Sequence, residues 1–152
     1  MKHLGLAVLV CALPLRLFAE SNGHAQTLTD ELRERLQIFE AVHFTLVEHN
    51  PLVMSVETLA GRSGPFIITA DQQFVQSLSE EELKAAIAHE LGHVWIYTHH
   101  PYLQTERLAN DIALRVTSAD VLVPVYEKVW KRIGTRGNLA EFISIETKPG
   151  SR

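Results

Sequence analysis

One cysteine, Cys11, stands in a chain of 152 residues, and that scarcity removes two classes at once. There can be no internal disulfide framework and no zinc site built from several thiolates. Basic residues are not in excess either. Fourteen Lys and Arg against eighteen Asp and Glu leave a net charge of −4, so the charge balance gives no reason to expect nucleic acid or an anionic membrane surface as the main partner. The apolar run near the amino terminus, Leu4 to Leu13, is too short to span a bilayer of about 30 Å. Eight Gly and six Pro exclude a repetitive fibre, and 46% apolar residues exclude a disordered chain. The length sets an expectation of one compact domain. Histidine is the unusual abundance, with eight copies.

The start Met1-Lys2-His3, the short apolar run and a small-residue exit read as a secretory signal peptide over residues 1–25, cut after Ala19 or after Ala25. Leu17 fits the first cut imperfectly, whereas Gly23-His24-Ala25 is better shaped. The expected location is therefore outside the cytoplasm, periplasmic or secreted. The alternatives are an uncleaved anchor tethering the chain to a membrane and a packed amphipathic arm. A lipoprotein through Cys11 fits less well, because Val10 occupies a position that wants a small residue. Removal of the segment would leave a mature chain without thiols, in keeping with an oxidising exterior.

Residues 26–152 show no repeat and no linker, and form one expected domain. Thr29 is expected to cap a helix to about His49, with Leu32, Leu36, Phe39, His43 and Leu46 on one stripe. Leu52 to Leu59 and Pro65 to Thr69 flank a Gly-containing loop and predict a β-hairpin. Phe74, Val75 and Leu78 suggest a short helical stretch. Ser79 followed by Glu82 is a capping box opening a long helix that Pro101 ends near Thr98 or His99. A second helix is expected from about Leu103 to Thr117. A third is expected with Pro124 in its first turn and Gly134 beyond its end.

The long helix carries His89-Glu90-Leu91-Gly92-His93, an HExxH pattern. Residues four apart lie about 40° apart around a helix and about 6 Å along it, so two imidazoles can converge on one ion. Glu90 falls on the same side, within reach of a water that the ion would activate, as general base and not as ligand. Gly92 costs about 1 kcal/mol of helix stability against Ala, which points to a close neighbour there. Chance alone would give this pattern in about a few per cent of shuffled copies of the chain, so context decides.

That context is Glu106-x-x-Ala109-Asn110-x-x-Ala113. Glu106 completes a two-His, one-carboxylate donor set with a fourth position open. Asn110, on the same helical face, is placed to accept the free ring N–H of a ligand histidine. Three competing readings remain at this stage. His89 and His93 could be core histidines paired with Glu90, Glu106 could be a solvated helix residue, and His99 could be the third ligand. His99 sits six residues after His93, but the glycine that such a site needs is Ile96 here, and on an unbroken helix His99 points about 240° away. His99 and His100 are expected to be exposed at a helix C-terminus.

The stretch Leu78 to His93, LSEEELKAAIAHELGH, with the hairpin before it, resembles the HtpX-like and CAAX-prenyl-endopeptidase family of zinc metallopeptidases. The later ERLANDIA resembles that family's ExxAD motif, with Asn110 in place of the aspartate. The asparagine, together with Leu122-Val123-Pro124, is closer to ImmA/IrrE-type metallopeptidases. Both belong to the gluzincins, and the resemblance covers about residues 30–125. It implies a small α+β zincin-like domain, mainly helical, with a short β-hairpin or sheet packed against the HExxH helix. It also implies one zinc ion per chain on His89, His93 and Glu106, with Glu90 as the catalytic acid/base. A peptide or protein substrate would pair with a hairpin edge strand within Pro65 to Ala70. The chain departs from the family in having no counterpart of its transmembrane helices, and no downstream histidine or arginine that matches the family's oxyanion-stabilising residue. Tyr97, His99, Tyr102 and Tyr126 are the candidates for that task.

The sequence thus reads as an exported zinc-dependent metalloendopeptidase with no nucleic-acid partner and no stable membrane span once the signal is removed. The reading from another class is a catalytically inactive, zinc-stabilised binding or regulatory protein that kept the fold.

Overall fold

The computed structural model describes residues 12–59 and 64–143, with side chains from residue 19 onward except Ala140. The apolar core of the expected signal peptide, up to residue 11, lies outside the described residues. From Ala12 the chain is already helix: α1 runs Ala12–Arg35. It is followed by β1 (Val42–Val47), β2 (Met54–Thr58), β3 (Phe66–Asp71), α2 (Gln72–Gln76) and α3 (Glu80–His99). Then come α4 (Glu106–Ala113), α5 (Ala119–Ile133) and the short α6 (Leu139–Phe142). The architecture is α+β, as expected.

One helix from Thr29 to His49 does not form. Gln37 takes a left-handed φ of 58° and stops α1, Phe39 is 88% exposed, and Val42 onward alternates buried and exposed as a strand. The β-branched Val42, Thr45 and Val47 favour the pleated surface, where period two replaces the helical period. The predicted hairpin does form: β2 pairs antiparallel with β3, Val56 opposite Ile68. β3 also pairs in parallel with β1, Phe44 opposite Ile68, so the sheet order is β1-β3-β2.

This order corrects the strand expected to receive a peptide. Pro65 to Ala70 leads into and forms the central strand, whose main-chain groups are taken up on both sides. The outer edge of β1 is occupied as well: Gln26 of α1 donates to Val42 O at 3.0 Å and accepts from the Phe44 amide at 2.7 Å, and Asn22 accepts from the Leu46 amide at 3.0 Å. Among the described strands, β2 is the one whose outer edge has neither a strand nor α1 beside it.

The middle of α3 is largely buried. Ala85, Ala86, Ile87, Ala88, Leu91 and Val94 are inaccessible or nearly so, and their small average size lets α1, α4, α5 and the sheet approach closely. α4 is shorter than the predicted Leu103–Thr117, because Thr105 caps it by accepting from the Leu108 amide. α5 begins five residues before Pro124, at Ala119, with Ser118 as its cap position but no side-chain capping bond. Its far end is as expected, Gly134 taking φ 72°. No helix among the described residues is long and apolar enough to cross a membrane.

Candidate metal centre

α3 starts where the sequence places its cap. The Glu82 amide donates to the Ser79 hydroxyl and the Ser79 amide donates to the Glu82 carboxylate at 2.7 Å, satisfying two amides that the first turn would leave unpaired. Lys128 of α5 reaches the same carboxylate at 2.7 Å. This fixes the phase of α3, and with it the direction of the residues two turns on.

His89 and His93 stand one turn apart with ring centroids 4.9 Å apart and planes nearly perpendicular. Both turn Nε2 toward Glu106 at the start of α4, His89 to Oε2 at 3.2 Å and His93 to Oε1 at 3.4 Å. One donor atom from each of the three lies within 4.8 Å of the others. Glu106 gets this close because Gly92 has no side chain: a Cβ there would lie 2.9 Å from the carbonyl carbon and Cα of Ala109, and nearer still to its oxygen. The close neighbour that the glycine implied is the main chain of α4.

The remaining ring nitrogens are held by amides. Asn110, fully buried, places Oδ1 2.7 Å from His89 Nδ1. Gln104, in the α3–α4 connection, places Oε1 3.1 Å from His93 Nδ1 while its Nε2 donates to the His93 carbonyl at 3.1 Å. A main-chain carbonyl only accepts, so the Gln104 oxygen must face the ring, and His93 carries its proton on Nδ1. Gln104 escaped the sequence reading; its only local signal is its position two residues before Glu106.

Charge follows from this packing. Hydrogen bonds from His89 and then His93 hold the Glu106 carboxyl far below the usual carboxylate range. Burial pushes the His93 imidazolium down, but the Glu106 carboxylate and the Glu90 charge outweigh it and raise its pKa above 6.5. Glu90 is buried at 7% exposure, and desolvation raises its pKa. It lines a cavity of about 700 Å³ together with His89, His93 and Glu106. Met54, Phe66, Phe74, Leu122 and Val125 make much of that cavity apolar, and β2 borders it with Ser55 to Thr58.

Of the four tyrosine and histidine candidates, Tyr126 comes nearest the donor set. Its hydroxyl lies 3.4 Å from Glu106 Oε2 and its ring packs edge-on against His89. Tyr97 lines the cavity against Phe66. Tyr102 is 85% exposed. His99 stacks on Trp95 at 4.1 Å and lies outside the donor cluster, exposed at the end of α3 like His100.

The donor set fits zinc. A tetrahedral ion with ligands at about 2.1 Å separates neighbouring ligand atoms by about 3.4 Å, close to the two imidazole–carboxylate spacings. Two nitrogens and one oxygen are an ordinary zinc set, in which an ion would take the place of the Nε2 protons that His89 and His93 direct at Glu106.

No protein-family model matches the chain and no curated protein matches it, so the likeness to particular families rests on the motifs alone. Among solved structures, the fold is similar to the metallopeptidase zymogen abylysin of Pyrococcus abyssi, with a TM-score of 0.52 and 15% identity over 75% of this chain and 99% of that one.

Proposed function

We propose that the chain is a zinc-dependent metalloendopeptidase of gluzincin type, with one ion on His89, His93 and Glu106 and with Glu90 as general base. The observation that carries this reading is the placement of Glu90: a buried carboxyl beside two converging imidazoles and a third-ligand carboxylate, in one cavity with the likeness of fold to a metallopeptidase behind it. Zinc held there supplies Lewis acidity, polarising a peptide carbonyl and lowering the pKa of a water toward about 7. Glu90, its affinity for protons raised by burial, takes the proton of the attacking water and returns it to the leaving amine. The outer edge of β2, running along the cavity, offers main-chain groups to an extended peptide, and the apolar wall beside it offers room for a side chain. The motif likeness to the HtpX-like and ImmA/IrrE-type enzymes agrees with these roles.

Export belongs to the same proposal. A cut after Ala19 suits it better than one after Ala25, because Ala25 is buried in the core and Asn22 holds the edge of β1.

The test compares the parent with Glu90→Gln on a mixed peptide substrate. The variant is expected to bind zinc one to one and to lose at least about 10²-fold in rate. Equal rates would remove Glu90 from the mechanism. The zinc-stabilised binding protein becomes the better reading if a hydroxamate fails to raise the melting temperature of the zinc-loaded parent.

A further inference from the structure

The orientation of an asparagine amide is decided by whichever neighbour has a single role. For Asn110 that neighbour is the main-chain oxygen of Phe142, which only accepts and lies 2.6 Å from Nδ2. The NH₂ group must therefore face α6. Its second hydrogen goes to the Tyr126 hydroxyl at 2.8 Å, and Oδ1 is left facing His89 Nδ1. Tyr126 lies within reach of Glu106 Oε2, so one amide touches His89 directly and Glu106 through one hydroxyl. Turned over, the amide would set an N–H against His89 Nδ1, and the ring would have to carry its proton on Nε2, the atom a metal needs.

The two imidazoles differ in what sets their amides. Gln104 is oriented by the carbonyl of His93 itself, reached from the connection that follows α3. Asn110 is oriented from 32 residues downstream, by a short helix whose following residue, Ile143, is 1% exposed and donates to the Leu139 carbonyl. We infer that the C-terminal segment Leu139–Ile143 is a positioning element of the metal centre: the Phe142 carbonyl holds Asn110 in the one orientation that gives His89 its Nε2-ligating tautomer. The inference rests on the metal-site reading above. It also explains why residue 110 is asparagine where the resembling motif has aspartate. A carboxylate would set an oxygen against the Phe142 oxygen, and it would need no orienting, since either of its oxygens accepts from His89.

That symmetry supplies the experiment, done on the full chain with zinc as the probe. Ile143→Asp undocks α6, with Ile143→Ala as the milder form should the first fold poorly. Zinc affinity, read by competition with a chelating dye, is expected to fall about tenfold. In an Asn110→Asp background the same change at Ile143 is expected to cost nothing further. The exchange of the His89 Nδ1 proton in the zinc-loaded protein is expected to be slow in the parent, fast in Ile143→Asp, and slow again when Asn110→Asp is added. Without zinc, Asn110→Asp alone is expected to speed exchange of the Ile143 amide. A similar loss of affinity in both backgrounds, or in neither, overturns the inference. A parent that binds no zinc overturns the metal-site reading instead, and the Ile143 exchange then still reports on the contact between Asn110 and the tail.

Discussion

Arg132 Nη2 donates to Asp71 Oδ1 across 2.6 Å, tying the last turn of α5 to the end of β3. Asp71 is 1% exposed at its side chain and also caps α2, accepting from the Phe74 amide at 3.0 Å. Burial pushes the Asp71 carboxyl up, but that amide and the guanidinium together hold it below 3.8. Arg132→Met is expected to cost about 2 kcal/mol at neutral pH, the scale of a hydrogen bond to a charged group. Urea unfolding measures it.

The same pair fixes a sign. A carboxyl whose folded pKa is depressed contributes stability above its unfolded value and loses it as the pH falls through the folded one. The gap between parent and Arg132→Met is therefore expected to be constant from neutral pH down to about 5 and to narrow below about 4. A gap that widened in acid would show that Asp71 is not the partner that matters.

Gly92→Ala should run against the usual rule for helices. In an open helix the change stabilises by about 1 kcal/mol. Here the new methyl meets the main chain of Ala109, which cannot rotate away, and overpacking of this kind costs about 1–3 kcal/mol. The expected result is a lower melting temperature and, because α4 carries Glu106, weaker zinc binding. An Ala variant as stable as the parent would mean that α3 and α4 are not held at this distance.

On the proposed metal-site reading, protons and zinc compete for the same two Nε2 atoms. Since burial of His93 is outweighed by Glu106 and Glu90, which raise its pKa from the ordinary value, zinc affinity is expected to begin falling at a higher pH than an unperturbed imidazole would give. The slope is about tenfold per pH unit for each proton displaced. Calorimetric titration in buffers of different ionisation heat counts those protons. Affinity that stayed flat to pH 4 would exclude imidazole ligation.

What could be read from the sequence was what short-range geometry dictates. The capping box, the two histidines one turn apart and the glycine demanding a neighbour are all settled within a few residues of α3. β1 was lost because Leu32, Leu36, Phe39, His43 and Leu46 happen to fit a helical spacing, although exposed His43 and buried Leu46 belong to different faces of a strand. Nothing local distinguishes the two periods there, and the parallel partner of β1 lies a whole hairpin away. Pro124 draws the expected start of α5 downstream because proline favours a first turn, whereas here it sits inside the helix, five residues after Ala119. The contact between Asn110 and Phe142 has no local signature at all: its acceptor is a main-chain oxygen, and any residue supplies one.

All three donor groups fall on two helices joined by the short connection 100–105, whereas the sheet needs Val42 to find Phe66 across an intervening strand. Closing a short loop forfeits less chain entropy than closing a long one. The donors thus need a shorter chain closure than the parallel pair of β1 and β3, and on the proposed metal-site reading an ion captured early in refolding would serve as a nucleus for that pairing. Zinc added at the start should leave its mark on the rate of refolding, and not only on the final equilibrium.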